Sequence, residues 1–87
     1  MRKPEAEIFG NALRGLRLER GLSQAEIAAA VEARGGRLTA NYVSDLERGL
    51  KAPTLTMILK LCQALDVSVA QMLADFSPDR VRRLRLE

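Results

Sequence analysis

Histidine is absent from this 87-residue chain, and cysteine occurs once, at position 62. With no imidazole and a single thiol, a zinc site of the usual Cys and His kind cannot be assembled and no intramolecular disulfide can form. Aromatic residues make up only 3% of the chain, too few for the aromatic-rich strands of a typical sheet. No apolar run approaches the roughly 20 residues that span a bilayer, and nothing near the start joins a basic stretch to an apolar segment as a secretory signal does. A cytoplasmic protein with no membrane partner, no cofactor and no metal is therefore expected. No glycine-rich phosphate loop is present either, so no catalytic constellation assembles and an enzyme is the weakest reading.

What is present favours helices. Hydrophobic residues reach 47%, mostly Leu, Ala, Ile and Val, enough for one compact core and too few for two. The expected class is all-α. Fourteen Lys and Arg against 11 Asp and Glu leave a net charge of +3, which suits a polyanionic partner without requiring one.

Ile8, Phe9, Leu13, Leu16 and Leu22 recur at helical spacing and predict a first helix over about Glu5 to Arg20, ended at Gly21. Gly10 and Gly15 within it either weaken the helix or mark close packing. Ser23 with Glu26 three residues on is a capping box, so a second helix starts at Gln24 and stops at Gly35–Gly36. Thr39 is the next N-cap; Val43 and Leu46 form the apolar stripe of a short third helix, while Asn41, Tyr42, Ser44, Asp45 and Arg48 face elsewhere, until Gly49. After Pro53, Thr54 caps a fourth helix lined by Leu55, Ile58, Leu61, Cys62 and Leu65. Ser68 caps a fifth, with Val69, Met72 and Leu73 directed inward, and Ser77–Pro78 opens a basic tail. Residues 1–76 thus read as one five-helix domain and 77–87 as a tail that can hold a short sixth helix. Leu86–Glu87 suit a cloning remnant equally well and carry no weight.

Two short capped helices between a longer first helix and an apolar fourth are the arrangement that holds one polar helix out for the major groove of double-stranded DNA. The third helix, about Thr39–Arg48, is that candidate. Ala40, Asn41, Ser44 and Asp45 near its start have the right chemistry for base edges: Asn for adenine N6 and N7, Asp for cytosine N4, an Ala methyl for thymine. Phosphates suit the N-terminus of the second helix at Ser23 and Gln24, with its free N–H groups and dipole, and Lys51.

The stretches LRGLRLERGLSQAEIAAAV (13–31), YVSDLERG (42–49) and KAPTLTMILKLCQALDVSVAQML (51–73) resemble the phage-repressor and Cro-type helix-turn-helix family, also called the xenobiotic-response-element family. The resemblance spans about Ile8 to Leu73. It implies a lambda-repressor-like domain with the helix-turn-helix at helices 2 and 3. It implies that Gln24 contacts a phosphate and supports the recognition helix, that Ala40, Asn41 and Asp45 read bases, and that Thr39 and Tyr42 meet the backbone. It also implies that Arg17 of helix 1 pairs with Glu47. One segment departs from the pattern: EARGGRLTAN (32–41) is about five residues longer than the family's tight turn, so helix 2 extends or the turn becomes a loop. Leu38 is placed to plug the core there, while Arg34 and Arg37 serve either as phosphate contacts or as a solvated loop.

One reading head of this size makes few base contacts, so a homodimer on a palindromic operator is expected, with helix 5 and the tail as the preferred dimer surface. Cys62 reads as a small core residue. Arg80, Arg82, Arg83 and Arg85 remain open between a solvated fringe, a nonspecific DNA arm and the polar face of a dimer helix whose seam is Val81 and Leu84. A phage-type repressor, a restriction–modification controller and an antitoxin all fit, with RNA polymerase or a toxin as the protein partner. The rival from another class is a protein-interaction module whose third helix meets a protein instead of DNA.

Overall fold

The computed structural model describes residues 2–87. Six helices follow one another: α1 Pro4–Glu19, α2 Gln24–Ala33, α3 Ala40–Glu47, α4 Leu55–Leu65, α5 Val69–Met72 and α6 Pro78–Arg83. No strand occurs among the described residues. Pro4 occupies the first position of α1, where its missing N–H costs nothing, and Glu5 and Glu7 complement the positive end of the helix dipole. The helix thus runs one residue earlier at each end than the periodicity predicts. Side chains of Ser23, Thr39, Thr54, Ser68 and Ser77 accept the N–H three residues on, so α2 to α6 all start at a side-chain cap.

The core is one cluster. Leu13 of α1, Ile27 and Val31 of α2, Val43 and Leu46 of α3, Leu61 and Leu65 of α4, and Met72 of α5 are fully buried. Helix α3 packs on α1 and α2, α4 closes over α2, and α5 bridges α1 and α4. Each fully buried Leu, Ile or Val side chain contributes about 1.5–3 kcal/mol relative to an exposed one. The Cys62 thiol belongs to this core, and burial raises its pKa, which leaves it little thiolate character.

Two apolar expectations change. Leu55, at the first position of α4, is 69% exposed, because its side chain flanks the buried stripe of Leu61, Cys62 and Leu65. Val69 is also exposed, since α5 is a single turn that commits only Met72 fully to the core. Leu59 joins Leu55 as an exposed large apolar residue of α4. The connection between α2 and α3 takes both forms at once: α2 continues to Ala33, and a loop over 34–39 follows. Leu38 is buried in the core and anchors that loop. In the tail, α6 forms without burying any residue.

Gly10 and Gly15 have opposite roles. A Cβ at Gly10 would collide with the Leu46 carbonyl oxygen and lie 2.7 Å from that of Glu47, so α1 meets the backbone of α3 at this point. A Cβ at Gly15 would meet nothing within 4 Å. Gly10→Ala is therefore expected to cost about 1–3 kcal/mol through overpacking, whereas Gly15→Ala gains about 0.5–1 kcal/mol from helix propensity. Urea denaturation of the two variants checks the opposite signs.

Candidate nucleic-acid interface

The rear of α3 is buried through Val43, Leu46 and Glu47, and its front carries the exposed Asn41 with the half-buried Ala40, Ser44 and Asp45. What aims that front is a polar knot of three helices. Arg17 of α1 grips the Glu47 carboxylate side-on, Nε donating to Oε2 at 2.6 Å and Nη2 to Oε1 at 2.9 Å. Gln24 of α2 donates from Nε2 to the same Oε1 at 3.2 Å. The remaining Nη1 of Arg17 donates to the Leu22 carbonyl at 2.9 Å, in the turn that leads into α2. The Glu47 side chain is only 3% exposed and that of Arg17 11%. The hydrogen bond and charge of Glu47 raise the Arg17 pKa further, so the guanidinium stays charged.

At the start of α2 the Ser23 hydroxyl accepts from the Glu26 N–H at 3.0 Å, and Glu26 Oε1 accepts from the Ser23 N–H at 2.9 Å. These bonds hold the Glu26 carboxyl below the usual carboxylate range. The Ser23 N–H is thus already engaged, and what Ser23 can still offer an anion is its hydroxyl proton. No such internal partner holds the Gln24 or Ala25 N–H groups among the described residues, so these remain the free donors of the helix end.

Asp45 and Lys51 come together in a way that spacing does not reveal. Lys51 Nζ lies 3.6 Å from Asp45 Oδ2 and 5.3 Å from the centre of the Tyr42 ring. The chain reverses after α3, with the Leu50 N–H donating to the Asp45 carbonyl at 2.9 Å, and this turn carries Lys51 back over the helix. Tyr42, which the sequence pattern places on the polar face, is half-buried against the core and serves as the platform under that ammonium. Thr39 is committed as the N-cap, accepting from the Tyr42 N–H at 3.1 Å. In the tail, Asp79 pairs with Arg82 and Arg83 within α6, which takes up two of the four tail arginines.

A polar helix held out by a capped helix and a buried carboxylate knot is the geometry of a helix-turn-helix module. The helix-turn-helix family model matches residues 13–72, and the chain belongs to that family, in its Cro/C1 type, a class of DNA-binding transcriptional regulators. The transcriptional regulator ClgR of Mycobacterium tuberculosis is 30% identical over 80 residues, covering 92% of this chain and 67% of the relative. Two solved structures share the fold. The restriction–modification controller protein C.AhdI of Aeromonas hydrophila has a TM-score of 0.70 at 37% identity, covering 78% of this chain and 91% of its own. The clp gene regulator ClgR of C. glutamicum has a TM-score of 0.72 at 30% identity, covering 94% and 95%.

Two predictions follow from the knot and the cap. Glu47→Ala or Arg17→Ala alone leaves a buried charge unpaired and is expected to cost about 3–5 kcal/mol, and the double variant costs clearly less than the sum; a double-mutant cycle by urea denaturation measures the coupling. A carboxylate whose pKa is lowered by folding stabilises the protein above its unfolded value and loses that contribution as pH falls through the folded value. Wild type should therefore lose more stability than Glu26→Gln below about pH 5, as thermal melts at a series of pH values will show.

Proposed function

We propose that the chain is a sequence-specific transcriptional regulator that binds a palindromic operator as a homodimer, each protomer laying α3 in a major groove about 34 Å from the other. The observation that carries this reading is α3 itself: its rear is clamped by Arg17, Gln24 and Glu47, and Asn41 stands exposed in its first turn. A side chain on a rigid helix keeps the geometry that bidentate base contacts require, each such contact discriminating by about 1–3 kcal/mol.

Asn41, Ala40 and Ser44 read base edges in this proposal. The Gln24 and Ala25 N–H groups at the start of α2, the Ser23 and Thr39 hydroxyls and the Tyr42 side chain take phosphates. Asp45 accepts from a cytosine only if Lys51 moves from it to the backbone, so the pair acts as one unit that weakens repulsion of the duplex and rejects wrong bases. The exposed Leu55, Leu59 and Val69 lie outside α3 and supply a surface for the second protomer that does not compete with DNA. Cytoplasmic action fits a chain in which no helix among the described residues is long and apolar enough to cross a membrane.

The test is selection from a pool of random duplex DNA at fixed salt, comparing wild type with an Asn41→Ala/Ser44→Ala variant. Enrichment of a two-fold symmetric motif by wild type and its loss in the variant is expected. Equal enrichment by both moves the reading head away from α3. No enrichment beyond a salt-sensitive background sinks the operator reading in favour of a protein-interaction module.

A further inference from the structure

The loop between α2 and α3 is held in one shape by three separate devices. At the end of α2 the Gly35 N–H donates to the Glu32 carbonyl at 2.9 Å and the Gly36 N–H to that of Val31 at 3.1 Å, which closes the helix with Gly35 at φ 90°. Gly36 lies against the Val31 side chain and the stem of Lys60, where a Cβ would come within 2.8 Å of Val31 Cγ1. Leu38 is sunk into the core, and Thr39 then caps α3. A segment tied at both ends and at its middle loses little entropy when a partner binds it.

This rigid segment presents cations and no anions. Arg34 and Arg37 are both exposed, and neither makes an ion pair or a side-chain hydrogen bond among the described residues. Glu32, the carboxylate nearest in sequence, pairs with neither, and Lys60 of α4 lines the same cleft as Arg34 and Gly36. The two arginines are not equivalent. Arg34 is the C-cap of α2, where a cation offsets the negative end of the helix dipole without any partner. Arg37 lies three residues beyond that end, beside Thr39 and Tyr42 at the entrance to α3, and has no such internal role.

Their position relative to the proposed phosphate donors decides what they fit. The ten residues of α2 separate Gln24 from Arg34, about 15 Å at 1.5 Å per residue. The major groove is about 12 Å wide, so with α2 lying across it and Gln24 on one phosphate wall, Arg34 and the loop that follows would come to the other wall. We infer that the loop over 34–37 is a second backbone clamp, Arg37 principally and Arg34 with it, which meets DNA phosphates on the wall of the groove opposite Gln24. The inference rests on the reading of α3 as the groove-binding helix and deepens it. It also gives the longer connection a use: the chain carries extra phosphate contacts where a tight turn would carry none. Such contacts add affinity and salt dependence while leaving the recognised sequence unchanged.

The experiment uses the full chain and the duplex motif enriched by wild type. Affinity is measured from 50 to 200 mM salt for wild type, Arg37→Ala and Arg34→Ala/Arg37→Ala, with phosphate-ethylation interference on the same duplex. Thermal melts matching wild type establish that the exposed substitutions leave the fold intact. Each lost phosphate contact should make the log–log salt slope shallower by about 0.9, roughly a three- to fourfold smaller change in affinity across that range. Arg37→Ala should lose one step and the double variant up to two, the interference at the phosphates facing the loop should vanish, and the enriched motif should stay the same. Slopes and interference indistinguishable from wild type overturn the clamp alone and make the loop a solvated one. A changed motif also overturns it, because the loop then reads bases. A wild type with no duplex binding at all overturns the clamp together with the reading beneath it.

Discussion

The carboxylate of Glu47 is the point on which the orientation of α3 depends. Burying it in isolation would cost several kcal/mol, and what makes the site tenable is that its two oxygens accept three hydrogen bonds from two other helices, two from Arg17 and one from Gln24. Arg17 in turn spends its last donor group on the Leu22 carbonyl, so a single guanidinium ties α1, the turn before α2, and α3. A planar fork with several donors is needed for this, and a lysine in the same place would satisfy only part of it. Beside the knot, Gly10 lets the backbone of α1 sit directly on the carbonyls of Leu46 and Glu47. The C-terminal end of α3 is thereby clamped by charge and by close packing together. Its N-terminal end, with Asn41, projects beyond both.

Charge on the projecting face is arranged to be nearly neutral where bases would lie and positive at the margins. Asp45 is the one carboxylate of that face, and Lys51 folds back over the Tyr42 ring to meet it. The start of α2 repeats the theme with Glu26, whose negative charge is spent on the Ser23 N–H while the donors of Gln24 and Ala25 remain free. Two cations without an ion pair, Arg34 and Arg37, sit on the loop outside that face. In the proposed reading, such a layout would separate the residues that select a sequence from those that position the protein on a backbone. The exposed apolar side chains of Leu55 and Leu59 on α4 and Val69 on α5 lie outside α3.

Local chemistry marks nearly every helix boundary in the sequence. The capping residues Ser23, Thr39, Thr54, Ser68 and Ser77 act on the N–H three residues away, and the glycines at 21, 35 and 49 end helices by backbone bonds within one turn, so a reader of the linear chain sees cause and effect in the same few residues. The buried stripe of α3, Val43 and Leu46, follows from helical period alone. Period fails at the flanks. Leu55 and Val69 are as apolar as their buried neighbours, and only the packing of α4 and α5 against the rest decides that they stay in water.

What the amino-acid sequence determines by itself is the set of helices, the class of fold, and the polar composition of the one helix held out from the core, because all three arise from interactions within a turn or two of chain. The pattern of residues 13–31, 42–49 and 51–73 also carries the family. The tertiary structure alone decides which of the more distant polar groups meet. Glu47 is reached by Arg17 and Gln24 from two other helices, and Asp45 meets Lys51 across a reversal of the chain. Arg37 is left without a partner on a loop anchored by Leu38. The reason is physical: hydrogen bonds and ion pairs act over about 3–4 Å, and which groups come that close is set by how the helices pack, not by their order along the chain.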